Sequence, residues 1–412
     1  MDIPLIHVDF ETRSKASLNS NSKDYVGTDA YAANSTTDIL CMCYQEEGSP
    51  GEPTAWVPGN DIPDCFMRPF ILVAHNYGFE KAIWGRILMD KYDFPVAPVG
   101  FICTMAMAMR NNLPASLDAL ASALKLSDKK DKEGHRLMIK MANAKRYRPE
   151  KEGSTAAKNH TEDLANLIEY CRQDVRVEVQ AFHHLRENYD PVDPIEFLTD
   201  EQINCRGIRV DVDAAAAIMK VIRAEMKAEE VKLSDLTGGQ VATGRQTAKM
   251  LTWLKEEGYT DADLRADSVD YAIANPGTLS EKGQEVLQIR RKLALGSLAK
   301  LDVIASNADA KTSNRLRGLF QLYGASQTGR WGGRMVQPQN LPRGGFSDTE
   351  VEALIRMLSA GDADIVKMLY GDIFAVAKKL IRAMFISRDH QKLIVSDFSQ
   401  IECRVLGNYQ TV

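Results

Sequence analysis

The order of apolar and polar positions divides the chain into a strand-rich first part and a mostly helical remainder. Residues 3–10 are apolar and β-branched enough to predict a buried strand. Residues 38–44 and 54–57 predict two more strands in a short meander, and 70–74 predict another apolar one. The run His75-Asn76-Tyr77-Gly78-Phe79-Glu80 then leads into a helix with Ile83, Ile87 and Leu88 on its apolar face. Residues 116–126 predict a short helix. Residues 127–154, rich in Lys, Glu, Asp and Gly, predict a solvated excursion. A long helix is expected from about Thr161, with Glu162 and Asp163 in its first turn. Its apolar stripe is Leu164, Leu167, Ile168, Cys171 and Val175.

Asp190-Pro191-Val192-Asp193-Pro194 breaks that pattern and predicts a boundary. Beyond it, 213–236 and 245–256 read as helices, and Thr278-x-x-Glu281 has the form of a capping box opening a third. Residues 348–361 and 365–384 predict helices, and 392–395 a final strand.

Side chains alternate along a strand, so Asp9 and Glu11 share one face of the first strand. Like charges held this close either share a proton or bind a cation, and Mg²⁺ favours carboxylate oxygens. Two solvated acids at a strand end is the plainer reading of Asp-x-Glu alone. Glu80 falls in a first helical turn just past a strand, where the helix dipole also favours an acid. Tyr170 and Asp174 are four apart and therefore stacked on one helix face. An acid with a phenol one turn away can supply a metal ligand and a group that orients water.

Composition narrows the class. The 412 residues are 44% hydrophobic and 26% charged, enough for two or three domains with buried cores. No run of eighteen apolar residues and no signal-peptide pattern occurs, which predicts an intracellular protein with no membrane partner. The seven cysteines are scattered without C-x-x-C, so reduced, buried thiols are expected; Cys41 and Cys43 share a strand face. The net charge of −5 argues against an overall basic coat. Yet between Glu281 and Gly345 eleven Lys/Arg face four Asp/Glu, a local excess that favours phosphate contact over a plain solvated face. Within it, Thr328-Gly329-Arg330-Trp331-Gly332-Gly333-Arg334 offers glycines for close backbone approach and forked arginine donors.

Asp9-x-Glu11, Asn76-x-x-Phe79-Glu80 and Tyr170-x-x-x-Asp174, in that order, resemble the three motifs of the DEDDy 3′–5′ exonucleases. The second departs from the family pattern, with Glu80 where Asp is usual. Ser396-Asp397-Phe398-Ser399-Gln400-Ile401-Glu402-Cys403-Arg404-Val405-Leu406 resembles motif A of family A DNA polymerases, and 328–342 resembles their primer–template segment. The layout is similar to phage and prophage members.

The resemblance implies an α/β protein in three units. These are a ribonuclease H-like exonuclease domain over 1–190, a helical thumb-like region over 191–317, and an incomplete palm over 318–412. It implies two divalent metals (Mg²⁺ or Mn²⁺) held by Asp9, Glu11, Glu80 and Asp174, with Tyr170 positioning the water. It implies DNA contacts from Thr12, Asn76, Phe79, Arg330, Arg334, Gln339 and Asn340, to a single-stranded 3′ end and a primer–template, and the charge excess adds Arg290 and Arg291. Asp397 would bind the polymerase metals, with Gln400 and Glu402 at the nucleotide. Residues 407–412 leave the family pattern, and the fingers and the second palm acid are missing. Polymerisation by these residues alone is therefore not expected, and a companion chain is the implied partner. The cytoplasm of a bacterial host is the implied location. Two other readings stay open: a free-standing nuclease of the same family, and a non-catalytic DNA-binding half.

Overall fold

The protein was analysed as a computed structural model, which describes residues 3–409 apart from 20, 21, 23, 129, 130 and 295; residues 410–412 of the divergent tail lie outside it. The first part is built on a five-stranded sheet of β1 (Leu5–Arg13), β2 (Asp38–Glu46), β3 (Thr54–Trp56), β4 (Ile71–Ala74) and β5 (Gly100–Cys103). The strand order is β3-β2-β1-β4-β5. β1 pairs antiparallel with β2 and parallel with β4; β2–β3 is antiparallel and β4–β5 parallel. This central place explains the apolar character of β1, which is covered on both faces. Ile6, Val8 and Phe10 pack among Phe66, Phe70, Ile83 and Trp84, while His7, Asp9 and Glu11 point to the other side. The sequence did not predict β5, because four residues opening on Gly100 are too short a pattern.

Between the strands lie α1 (Thr28–Ala32), α2 (Gly78–Ile83), α3 (Asp90–Tyr92), α4 (Thr104–Arg110), α5 (Leu117–Leu124) and α6 (Lys132–Ala142), followed by the long α7 (Thr155–Asn188). The helix expected through Ile87 is interrupted: α2 passes into a π-helical stretch, Trp84–Met89, which reaches α3. The expected solvated excursion is wrong over its middle. There α6 starts on an Asp131 cap and packs Leu137, Met138 and fully buried Met141 beside Tyr147 and α7. Its exposed face carries the Lys and Glu that disguised it. α7 begins six residues earlier than predicted, because Ser154 caps it by accepting from the Ala157 N–H. Its stripe Leu167, Cys171 and Val175 packs on Leu40, Cys41 and Cys43 of β2.

After a break at 189–193, Asp193 caps α8 (Pro194–Arg206), with Pro194 in its first turn. The helices α9 (Val212–Leu236), α10 (Thr247–Glu256), α11 (Ala266–Ala274), α12 (Glu281–Leu293) and α13 (Ala299–Asn307) follow. The capping-box expectation was misplaced: Ser280 caps α12, and the Thr278 hydroxyl donates to the Gly258 carbonyl instead. β6 (Ile208–Arg209) pairs with β7 (Arg315–Leu316), and β8 (Phe320–Ala325) with β9 (Arg330–Gly333). The chain continues through α14 (Asp348–Ala360), α15 (Ala363–Tyr370), α16 (Ile373–Leu380) and α17 (Ile401–Tyr409). Gly371, at positive φ, splits the single helix expected over 365–384. α9 joins two cores: Ile218 and Ile222 meet Leu301, Leu358 and Leu380, while Leu233 meets Trp253, Val286 and Ile289. The first of these takes residues from both sides of position 317.

The strand expected at 392–395 does not form. Among the described residues it has no sheet partner, and Ile394 and Val395 are 93% and 92% exposed. A strand needs hydrogen bonds from a neighbour, which an apolar pattern cannot supply by itself.

Met141→Ala should destabilise the protein by about 2–5 kcal/mol, as expected for a buried methionine. Ile139→Ala, exposed on the same helix, should cost no more than about 0.5 kcal/mol. Urea denaturation of both variants checks this. Equal, negligible effects would mean that α6 does not dock.

Candidate metal centre and its cleft

One carboxylate oxygen from each of Asp9, Glu11 and Asp174 lies within 4.8 Å of the others, the one such acidic group found among the described residues. The first two come from the central strand, where their two-residue spacing keeps them on the face toward α7. A register shift between Glu11 and Thr12 in the pairing with β2 re-aims the strand just there. Asp174 descends from α7. Tyr170, one turn earlier on that helix, is 2% exposed and sits in the field of Asp174, Glu11 and Asp9. Burial first, then these carboxylates, drives its pKa far above the usual phenol range, so Tyr170 keeps its proton.

Glu80 stands apart from this trio. It is 3% exposed in the first turn of α2, and its Oε2 is buried without a hydrogen-bond partner. Burial, then Asp9, pushes its pKa well above the carboxylate range; the chain's own N–H at Glu80 opposes the shift, and Glu178 adds to it. The turn that delivers Glu80 passes through Asn76 at φ 73°, a left-handed conformation that Asn tolerates. The backbone N–H groups of Ala106, Tyr77 and Asn76 converge on the buried Cys103 sulfur and pin this turn.

The trio opens into a cleft of about 1590 Å³, larger than the roughly 300–1,000 Å³ of small-molecule pockets. Thr12, Asn76, Phe79, Tyr170 and Arg334 line it, whereas Glu80 lies behind its wall. The Thr12 hydroxyl bonds Tyr31 Oη at 2.9 Å, and the Tyr31 ring lies 6.2 Å from that of Phe79. The far wall comes from α8 and the β8–β9 hairpin, through Phe197, Asp200, Gln321 and Arg334. Sequence reasoning missed Tyr31, Cys103 and α8, because each is joined to the site only by the fold.

It also missed His7, which is fully buried two residues before Asp9. Its Nδ1 lies 2.5 Å from Glu178 and its Nε2 3.0 Å from Glu47. Burial opposes the imidazolium, but Glu178 and then Glu47 outweigh it and raise the pKa above 6.5. Strand alternation was the available signal, since it put His7 on the same face as the acids.

The remaining candidates are scattered. Arg334 Nε donates to Gln321 at 3.1 Å inside the cleft. Gln339 lies against Gly333, where a side chain on residue 333 would strike it, and Asn340 donates to Gln337 at 3.0 Å. Arg290 donates to the Leu264 carbonyl at 3.4 Å, and Arg291 pairs with Asp270. Arg330 lies 3.4 Å from Glu402. Asp397, Gln400 and Glu402 are exposed and line neither the cleft nor the smaller pocket beside Arg290 and Arg291.

Glu80 carries a pH signature. Its folded pKa is raised above its unfolded one, so both states hold the proton below about pH 4.5, and there is no penalty there. As pH climbs toward the folded pKa, the unfolded chain releases the proton first, and stability falls. Glu80→Gln removes that loss. In chelator, its Tm should match wild type near pH 4.5 and exceed it increasingly as pH rises toward the folded pKa of Glu80. A thermal-shift series checks this, and a pH-independent difference would mean that Glu80 is not buried as described.

The chain matches no known protein-family model. It is 32% identical over 421 aligned positions to the DNA polymerase of Bacillus phage SP02, a match that takes in 98% of this chain. The chain spans 61% of that protein's length. Along nearly its whole length, then, this chain is a relative of a phage-type DNA polymerase.

Proposed function

We propose that these residues are the N-terminal portion of a family A DNA polymerase, and that their α/β part is a 3′–5′ proofreading exonuclease. The convergence of Asp9, Glu11 and Asp174 from distant motifs carries the reading. A sheet with β1 central, antiparallel on one side and parallel on the other, supports a ribonuclease H-like domain. The relatedness to a DNA polymerase supports DNA as the substrate.

The donor set suits a hard cation: carboxylate oxygens only, with the unpartnered Glu80 Oε2 buried within the electrostatic reach of Asp9. Asp9, Glu11, Asp174 and Glu80 would hold Mg²⁺ or Mn²⁺, two per site. Such ions, when bound, supply an acidified water and charge neutralisation at the phosphodiester and the leaving 3′ oxygen. Tyr170, kept protonated by its surroundings, orients that water by hydrogen bonding and does not take its proton. Thr12, Asn76 and Phe79 line the cleft where the terminal nucleotides of a single strand would lie.

Arg330, Arg334, Gln339 and Asn340, with Arg290 and Arg291, are assigned to the primer–template. Asp397, Gln400 and Glu402 form the start of a polymerase site. The exposed apolar side chains of Ile394, Val395 and Phe398 suit burial against a companion segment that carries the rest of the palm and the fingers. On this reading the protein works in the cytoplasm of a bacterial host. The position of Glu80 outside the trio favours the second reading, a non-catalytic DNA-binding half.

Residues 1–412 should shorten a 5′-labelled single-stranded DNA from its 3′ end with Mg²⁺ or Mn²⁺, and not in EDTA. Asp174→Asn should reduce this to background. Binding of duplex without any hydrolysis would select the non-catalytic reading. The same residues alone should not extend a primer; template-directed extension lost in Asp397→Ala would overturn that expectation.

A further inference from the structure

The face of β1 that carries Asp9 and Glu11 also carries His7, and α7 lies across all three. A strand advances about 6.8 Å over two residues, and a helix about 6.0 Å over four. Two-residue steps on β1 are thus nearly matched by four-residue steps on α7. The two run in opposite directions here: His7 meets Glu178, Asp9 meets Asp174, and Glu11 and Asp9 act on Tyr170. The ladder therefore has three rungs, and two of them hold the candidate chemistry.

We propose that the third rung, His7 with Glu178, is a positioning pair that sets the register of α7 along β1 and so the spacing of the carboxylates. The metal-related part of this inference rests on the reading of the trio as a metal centre. The apolar contacts of Leu167, Cys171 and Val175 hold the helix down, but hydrophobic contact is non-directional and tolerates sliding. The polar links across this face also include long thiol contacts, Cys171 to Asp9 at 3.4 Å and Cys43 to the Ile168 carbonyl at 3.6 Å. His7, at 0% exposure with both ring nitrogens engaged, supplies the strong directional contact. Glu47 holds its far nitrogen and is itself 3.4 Å from His183 of α7, so the anchor is fixed from both sides. Buried ion pairs are poor sources of net stability, and their best-attested role is fixing register.

The test separates register from stability. In the double variant His7→Leu/Glu178→Leu, apolar packing replaces the pair, so Tm should stay close to wild type. Mn²⁺ affinity by calorimetry and kcat on a single-stranded oligonucleotide should each fall by about tenfold or more, with KM unchanged. Glu178→Gln, which still accepts from His7, should keep Mn²⁺ affinity within about twofold of wild type. A double variant that binds Mn²⁺ and turns over like wild type would overturn the proposal. So would a Glu178→Gln variant as impaired as the double one, since charge would then matter and register would not.

A readout free of metal covers failure of the metal reading or poor folding of the double variant. Alkylation of Cys171, mapped by mass spectrometry, should accelerate in the double variant and not in Glu178→Gln, while buried Cys103 stays protected as the folding control. If wild type binds no Mn²⁺, the metal centre fails, and Cys171 alone decides the positioning role. Unchanged Cys171 protection in the double variant overturns it. A double variant in which Cys103 is also exposed has lost its fold; this overturns the proposal, because the pair is then structural.

Discussion

Three carboxylates held within 4.8 Å of one another repel, and the fold must oppose that repulsion before any cation arrives. Two unit charges about 4 Å apart at an effective dielectric near 20 interact by roughly 4 kcal/mol, against a typical domain stability of about 5–15 kcal/mol. Such a cluster survives only on elements that cannot yield. Asp9 and Glu11 lie on the central strand, paired there with Cys43 and Cys41 of β2 just beyond the stretch that pairs with β4, and covered on both faces. Asp174 lies on a 34-residue helix anchored by the Leu167, Cys171 and Val175 stripe. Protonation relieves part of the load at Glu80, where burial and Asp9 both disfavour the anion. A cation bound at this group would offset that repulsion.

The parts of this site that the sequence made legible are those with a period. Asp9 and Glu11 obey the two-residue rhythm of a strand, and Tyr170 and Asp174 the four-residue rhythm of a helix. Each pair's shared face followed without any tertiary knowledge. What joins the pairs did not follow. His7 and Glu178 are separated by 171 positions, and nothing local distinguishes either from an ordinary strand histidine or helix glutamate. Tyr31 and Phe197 enter the cleft through tertiary contacts alone.

The errors have the same origin. α6 was hidden because its exposed face is charged while only a few residues, among them Met141, are buried, so its composition resembled a loop. The strand at 392–395 was expected from a pattern that describes a buried ribbon, but burial requires something to lie against it. Arg290 and Arg291 were read from charge density, which records where cations lie in sequence and not which partners they already have. Arg291 is paired with Asp270, so a phosphate there would have to displace a carboxylate.

The cleft is also a joint product of the two halves of the chain. Asp29 and Arg86 of the α/β part form an ion-pair network with Asp309 and Arg317, with spacings between 3.0 and 3.6 Å. Asn307, the last residue of α13, accepts from the Gly27 backbone N–H at 2.5 Å. These contacts bring β8 and β9 over the acids, and with them Arg334, whose guanidinium stays charged although burial lowers its pKa. A polyanion approaching three carboxylates alone would be repelled. The cleft answers this with cations on its walls, Lys15 and Arg146 on one side and Arg334 on the other. The same cleft thus sets carboxylates of the α/β part beside cations from both halves of the chain.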